Sequence, residues 1–499
     1  MLPKTSKMAG INTLVRKTGL LMAVACYSYT AHAEVKLPQL FSDNMVLQRN
    51  APIPIWGWAA AGEKVTVRFN KQVKTIRAGK DGRWQLQLNA EAAGGPYELD
   101  VKGDNDLLIR NVLVGEVWIC SGQSNMEFAL KNVQNNAEEI KAANYPQIRE
   151  LTVPRNTSLT PQPDILPASW KVCTPETAGT FSAVAYFFAR KLQEELHVPI
   201  GLIHSSWGGT NVETWTSTAA LSTDPDFKEL PAITADKIKA GLPSNSPNSF
   251  PSQLFNAMLS PLIPYGIRGA IWYQGEANAD RAFQYRRTFP LMINDWREHW
   301  HEGDFPFYFV QISSFNPSGR MLLTGSRWAE LREAQLLTLS LPNTGMAVTT
   351  DIGNPTDVHP ANKQDVGLRL ALNALQKTYG RNVVPCGPIY QSIYIKNSTA
   401  ILHFSNTGSG LVAQNRYGYL QGFQIAGADQ QFKWAKADLQ GDSVIVYNET
   451  VTAPVAVRYG WTDDAMEANL YNKEGLPATP FRTDHWDGLT TDKKYNIAR

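Results

Sequence analysis

Residues 117–130 read VWICSGQSNMEFAL. The run 117–120 is apolar and short, as a fully buried strand is. Gly122-Gln123-Ser124-Asn125 interrupts it, and a helical pattern follows. A strand that delivers a serine onto the first turn of a helix is a βα connection, the unit of parallel sheets with helices on both faces. Ligands of such sheets bind at the carboxyl ends of the strands, so Ser124 stands where a reacting group would stand. Its backbone N–H falls at a helix N-terminus, which favours negative charge. A serine in this place is also an ordinary helix cap, and the segment alone leaves both readings open.

Working outward, the same texture continues on the C-terminal side. Apolar strand-like runs at 112–119, 200–204, 269–273, 307–312 and 346–350 alternate with helical patterns near 125–143, 183–196, 279–301, 326–338 and 361–378. This alternation predicts an α/β fold, an αβα sandwich around a parallel sheet over residues 111–385. On the N-terminal side, 34–110 changes period. Val65, Val67 and Phe69 alternate with polar residues, as do Trp84, Leu86 and Leu88, and Lys80-Asp81-Gly82 marks a hairpin between them, so a small β-sandwich is predicted. From 386 to 499 short alternating runs return, such as Val444–Tyr447, and predict a second β-rich region. Both flanks read as buttresses of the central unit. The 14 Trp, 18 Tyr and 19 Phe are read mostly as core.

Three further segments lie at strand ends on the same predicted edge. HSSWGGT (204–210) has paired glycines, Gly208 and Gly209, whose N–H groups can approach a ligand closely. WYQGEAN (272–278) offers the amides of Gln274 and Asn278 and the carboxylate of Glu276. DIGNPTDVHP (351–360) brings His359 to the edge with carboxylates nearby. Each alone reads equally well as a polar turn. Together they permit acyl transfer: His359 takes the Ser124 proton, a carboxylate orients the imidazole, and Ser124, Gly208, Gly209, Gln274 and Asn278 are candidate oxyanion donors. His204 is a rival base. There is no G-x-S-x-G elbow, which disfavours an α/β-hydrolase.

GQSNM, WGGT, WYQGEAN and DVHPANKQDVGLRLA, in this order, resemble the blocks of the sialate O-acetylesterase family, SGNH-type hydrolases with an αβα sandwich. LFSDNMVLQR (40–49), GFQIAG (422–427) and the stretch 454–484 resemble it too, so the likeness spans the chain beyond residue 33. It implies Ser124 as nucleophile, His359 as base, an acetylated carbohydrate as substrate and no cofactor. SGNH hydrolases usually carry an Asp three residues before the histidine, and here that position is Thr356. Asp357, two before, is the favoured acid, with Glu276 and Asp351 as rivals. The resemblance implies removal of O-acetyl groups from sialic acids, the 9-O-acetyl ester foremost. It equally allows an acetylesterase of plant polysaccharide such as xylan or xyloglucan. A non-catalytic carbohydrate-binding protein is the third reading. A sialic acid carboxylate calls for an arginine, for which Arg286, Arg287, Arg320 and Arg482 are candidates.

Composition narrows the remaining classes. Lys4, Lys7, Arg16 and Lys17, the apolar stretch GLLMAVAC and Ala31-His32-Ala33 have the order of a signal peptide over residues 1–33. Export to the periplasm or beyond is expected, with lipoprotein acylation at Cys26 a lesser alternative. The apolar stretch is far below the ~20 residues of a membrane span. Without the four basic residues of that segment, 43 of the 47 Lys and Arg remain against 45 acidic residues, a net charge of −2. No basic cluster is present, which argues against nucleic acid as a partner. Cys120, Cys173 and Cys386 are too few for a disulfide scaffold, though one bridge is allowed. No C-x-x-C pair or H-E-x-x-H motif suggests a metal.

Overall fold

The computed structural model describes residues 34–241, 250–319 and 323–496. Residues 1–33, where a signal peptide is expected and which include Cys26, and Arg320 lie outside them. Six shorter strands and one long one open the described chain: β1 (Val46–Gln48), β2 (Ile53–Trp58), β3 (Lys64–Phe69), β4 (Gln72–Arg77), β5 (Arg83–Leu88), β6 (Gly94–Lys102) and the 17-residue β7 (Asp106–Gly122). β2 pairs with β5, and β3 joins β4 and β6, all antiparallel. Valines 65 and 67 and leucines 86 and 88 face inward, as their period-two spacing predicts.

β7 belongs to two structures at once. Its first half pairs antiparallel with β6. Its second half is flanked by β10 (Ile200–Ser206) and β11 (Gly269–Tyr273), both parallel. With β8 (Tyr145–Thr152), β9 (Lys171–Cys173), β12 (Phe307–Val310) and β13 (Thr344–Ala347) they form a sheet of order β13-β12-β11-β7-β10-β8-β9, parallel except for β9. The helices are α1 (Ser124–Glu127), α2 (Asn136–Ala142), α3 (Ala183–Leu196), α4 (Thr218–Leu221), α5 (Leu230–Lys239), α6 (Ala282–Trp300), α7 (Arg327–Leu337) and α8 (Lys363–Lys377).

Both faces of this sheet are covered. Trp118 and Cys120 point to the side of α3 and α8, packing with Phe188 and Leu370. Val117 and Ile119 point to the other side, where Trp272, Phe289 and Trp296 form a dense aromatic layer. A strand buried on both faces favours apolar residues on both, as in the unbroken VWIC run.

Two expectations change. The helix predicted near 125–143 is broken into α1, a 3₁₀ turn at Leu130–Asn132 and α2. Phe128 leaves the helical region because the 128–130 backbone bonds instead to 181–183: Ala183 N–H donates to Phe128 O (2.9 Å) and Leu130 N–H to Phe181 O (3.0 Å). The three cysteines are free thiols, so the allowed bridge is absent among the described residues.

The C-terminal β region has its own core around Val444, Val446, Val457 and Tyr459. It is fastened to the parallel sheet by Arg332 of α7. That guanidinium is fully buried and donates to the carbonyls of Ile312, Ser313, Thr462 and Asp463.

Candidate active site

The sheet register brings three chain exits to one level. Gly122 is the partner of both Tyr273 and Ser206, so Ser124, Trp207 and Gln274 all emerge at the same carboxyl edge. Gly122 has φ +141°, and a Cβ there would lie 2.1 Å from Tyr273 O, so only glycine lets the chain turn out of the sheet here. Ser124 then begins α1. This helix is a single turn, so the stabilisation of charge near Ser124 comes from local N–H groups rather than a macrodipole.

His359 arrives from the loop between β13 and α8. Its Nε2 lies 2.8 Å from Ser124 Oγ. Its backbone N–H donates to Asp357 Oδ1 (2.8 Å), and the same carboxylate oxygen is 3.6 Å from Nδ1. Asp357 is the carboxylate on the imidazole. Glu276 is not: its Oε1 accepts from Asn125 Nδ2 (2.6 Å), and its Oε2 is buried without a partner. Burial pushes the Glu276 carboxyl up, against the opposing pull of Asn125 and Lys363. Asn125 also donates to Val358 O (2.9 Å) and accepts from Lys363 Nζ (2.6 Å). Glu276, Asn125 and Lys363 thus form a buried relay that anchors the backbone one residue before His359. Burial lowers the Lys363 ammonium to about 7. Asp351 is engaged in a two-pronged ion pair with Arg369 (2.6 and 2.7 Å), away from the imidazole.

The candidate oxyanion donors divide. Gly208 packs against the nucleophile, since a Cβ there would lie 3.2 Å from Ser124 Cβ. Its N–H, however, donates to Glu127 Oε2 (3.0 Å). Gly209 follows with φ +74°. The two amide side chains expected as donors face elsewhere. Gln274 donates to Thr210 O (3.0 Å) and Asn278 Oδ1 (2.7 Å) and accepts from Tyr285. Asn278 donates both its bonds to Glu213 and accepts from Val212 N–H (3.0 Å). Both are buried and saturated, so they brace the loop rather than face a substrate. His204 is buried, with Nε2 on Ser206 Oγ (2.6 Å), and its imidazole is lowered to about 4 by burial. It is a neutral core residue.

Glu127 and Arg155 escaped the sequence reading. The Arg155 guanidinium bonds Glu127 Oε1 and lies 5.3 Å from the centre of the Trp207 ring. This places a cation beside the Ser124 turn. Glu127 lies three residues past Ser124 in the quoted stretch, which was its only signal. Arg155, on the loop after β8, had none. The arginines singled out earlier are committed elsewhere: Arg286 to Glu333, Arg287 to Asp224 and Asp226, Arg482 to Glu333 and Asp484.

A serine hydroxyl hydrogen-bonded to an imidazole that rests on a carboxylate is an arrangement for nucleophilic attack on an acyl carbon. Comparison with known proteins agrees with this chemistry. A family model described as carbohydrate esterase, sialic acid-specific acetylesterase, matches residues 114–376. Sialate O-acetylesterase of Homo sapiens is 32% identical over 486 aligned residues, covering 88% of this chain and 91% of that protein. The Mus musculus protein of the same name is 30% identical, over 93% of this chain and 96% of its own length. The crystal structure of a carbohydrate acetylesterase from Xanthomonas citri superposes with a TM-score of 0.84 at 43% identity, over 91% of this chain and 100% of that one. The chain belongs to the sialic acid-specific acetylesterase family of carbohydrate esterases, and it is a carboxylic ester hydrolase that removes O-acetyl groups.

Proposed function

We propose that the chain hydrolyses O-acetyl esters of sialic acids through an acetyl-Ser124 intermediate. The observation that carries the mechanism is the 2.8 Å contact between Ser124 Oγ and His359 Nε2. Ser124 Oγ attacks the acetyl carbonyl as His359 Nε2 takes its proton. The tetrahedral oxyanion leans on the N–H groups of Ser124 and Gly208, the latter once Glu127 gives it up. His359 then returns the proton to the departing sugar oxygen. Water, deprotonated by the same nitrogen, attacks the acetyl-enzyme and releases acetate. Asp357 holds the imidazole tautomer throughout.

Sialic acid as the acetylated sugar is supported by the curated relatives named for it, aligned over 88–93% of the chain. Arg155, which pairs with Glu127 beside the nucleophile, would be freed for a substrate carboxylate by the same release of Glu127 that frees the Gly208 N–H. Export is supported by the order of basic, apolar and small residues over 1–33. Mature protein is then expected to begin at Glu34, and N-terminal sequencing checks it.

Ser124→Ala is expected to lower acetate release from 9-O-acetyl-N-acetylneuraminic acid by at least ~10³-fold. Comparable rates in the two proteins would remove Ser124 from the mechanism. Faster wild-type turnover of acetylated xylan than of the sialic acid ester would move the substrate to plant polysaccharide.

A further inference from the structure

The β2–β5 ribbon has an outer face that does not look like the outside of a buttress. On β2 (IPIWGW), Ile53 and Ile55 are buried on one face, and Trp56 and Trp58 lie on the other, both partly buried, with Trp56 packed against Phe41 and Tyr265. On β5, Trp84, Leu86 and Leu88 point in, and Arg83 and Gln85 point out. The antiparallel register sets Trp56 opposite Gln85 and Trp58 opposite Arg83, so all four side chains share one face. Two neighbouring tryptophans, each covered on one side and reaching a cleft with the other, present indole surface that a ligand can pack on.

That face is one wall of a cleft of about 390 Å³, closed opposite by Ile263 and Pro264. The volume lies within the ~300–1,000 Å³ of small-molecule sites. Trp56 is held edge-on against Phe41, with ring centres 4.7 Å apart, so its plane is fixed before anything binds. Among the described residues, the indole N–H groups of Trp56 and Trp58 and the amide of Gln85 have no hydrogen-bond partner. Arg83, the one charged lining group, sits 3.9 Å from Asp81, so the wall carries little net charge.

We infer that this cleft is a second carbohydrate site, which binds a neutral pyranose of the glycan whose acetyl ester Ser124 cleaves. A pyranose ring has an apolar C–H face, which packs on an indole plane. Its rim hydroxyls need donors and acceptors, which Gln85 and the indole N–H groups supply. The cleft is separate from the nucleophile. Ile263 and Pro264 precede the amino end of β11, and the carboxyl end of that strand, Tyr273, pairs with Gly122 beside Ser124. Five strand residues at ~3.3 Å each put the two sites on the order of 15 Å or more apart. The role is therefore retention of a chain, which raises the local concentration of its esters at Ser124.

The test uses the full chain as Ser124→Ala, so that esters survive, in affinity electrophoresis through gels containing xylan, xyloglucan or desialylated mucin. Retardation in at least one gel is expected, and which gel retards names the glycan source. Adding Trp58→Ala or Gln85→Ala should weaken that retardation about tenfold. Neither substitution, made with Ser124 intact, should change p-nitrophenyl acetate hydrolysis by more than about twofold, a rate that also reports folding. Passage unretarded through all three gels, or equal retardation with and without Trp58→Ala, would overturn the inference. A failure of Ser124→Ala to abolish turnover would strike the catalytic reading instead and leave this one standing.

Discussion

At the residue scale the acid of the site is the sharpest question, and geometry favours Asp357. Asp357 touches the imidazole from two residues away, whereas Glu276 touches Asn125. Asp357→Ala is expected to lower kcat about 10²-fold with the fold intact. Glu276→Gln keeps the acceptor for Asn125 and should cost less than about tenfold. Acetate release by the two variants in the reverse order would exchange the roles. Lys363 gives a pH signature. Its ammonium is lowered to about 7 in the folded chain, against ~10.4 unfolded. Between those values the unfolded chain holds a proton that the folded chain has lost. Stability from this group therefore rises with pH, by up to ~1.4 kcal/mol per unit, and its penalty is fully present below about pH 7. Denaturant unfolding of Lys363→Met at pH 7, 8 and 9 should show a flatter slope than wild type, and equal slopes would mean the lysine stays charged. Ser124, Asp357 and His359 were singled out in advance because each sits in a short turn whose place at a strand end follows from local pattern, and the fold brings the three together. Gln274 and Asn278 were misread because a position at a strand end does not say which way the side chain points, and the pleat and the Tyr285 and Glu213 partners turned both inward.

At the element scale, the strands seen in advance were those written in apolar residues, and 269–273 matched its strand end to end. β8 was missed. Its buried centre is Ile148-Arg149-Glu150-Leu151, and two charged residues defeat any rule based on apolar runs. They are tolerated because Arg149 donates to Pro146 O and Asn44, and Glu150 accepts from Ser182 N–H and Thr152. Burial lifts the Glu150 carboxyl to about 8, which removes the cost of an interior charge at neutral pH. The helix at 125–143 failed for a related reason. Its local propensity was adequate, but backbone bonds to 181–183 outbid it. The tryptophans of β2 were read as core on composition: Trp56 does pack against Phe41 and Tyr265, and the register adds that it shares a face with Trp58, Arg83 and Gln85.

At the scale of the whole molecule, β7 is the feature with the widest reach. One half of the strand is clothed by β6 and the other by β10 and β11. A fragment begun at residue 111 would cut it in the middle, bare Val112 and Val114, and leave an open edge ready to pair with another chain. Residues 111–385 expressed alone are expected to aggregate, while 34–499 stays in solution. A monodisperse and active 111–385 in size-exclusion chromatography would refute this. Genetic transplantation has the same obstacle. The ester-cleaving half cannot be lifted out and grafted onto a foreign partner as a cassette, because the seam that a recombination event would need runs through the middle of a hydrogen-bonded ribbon.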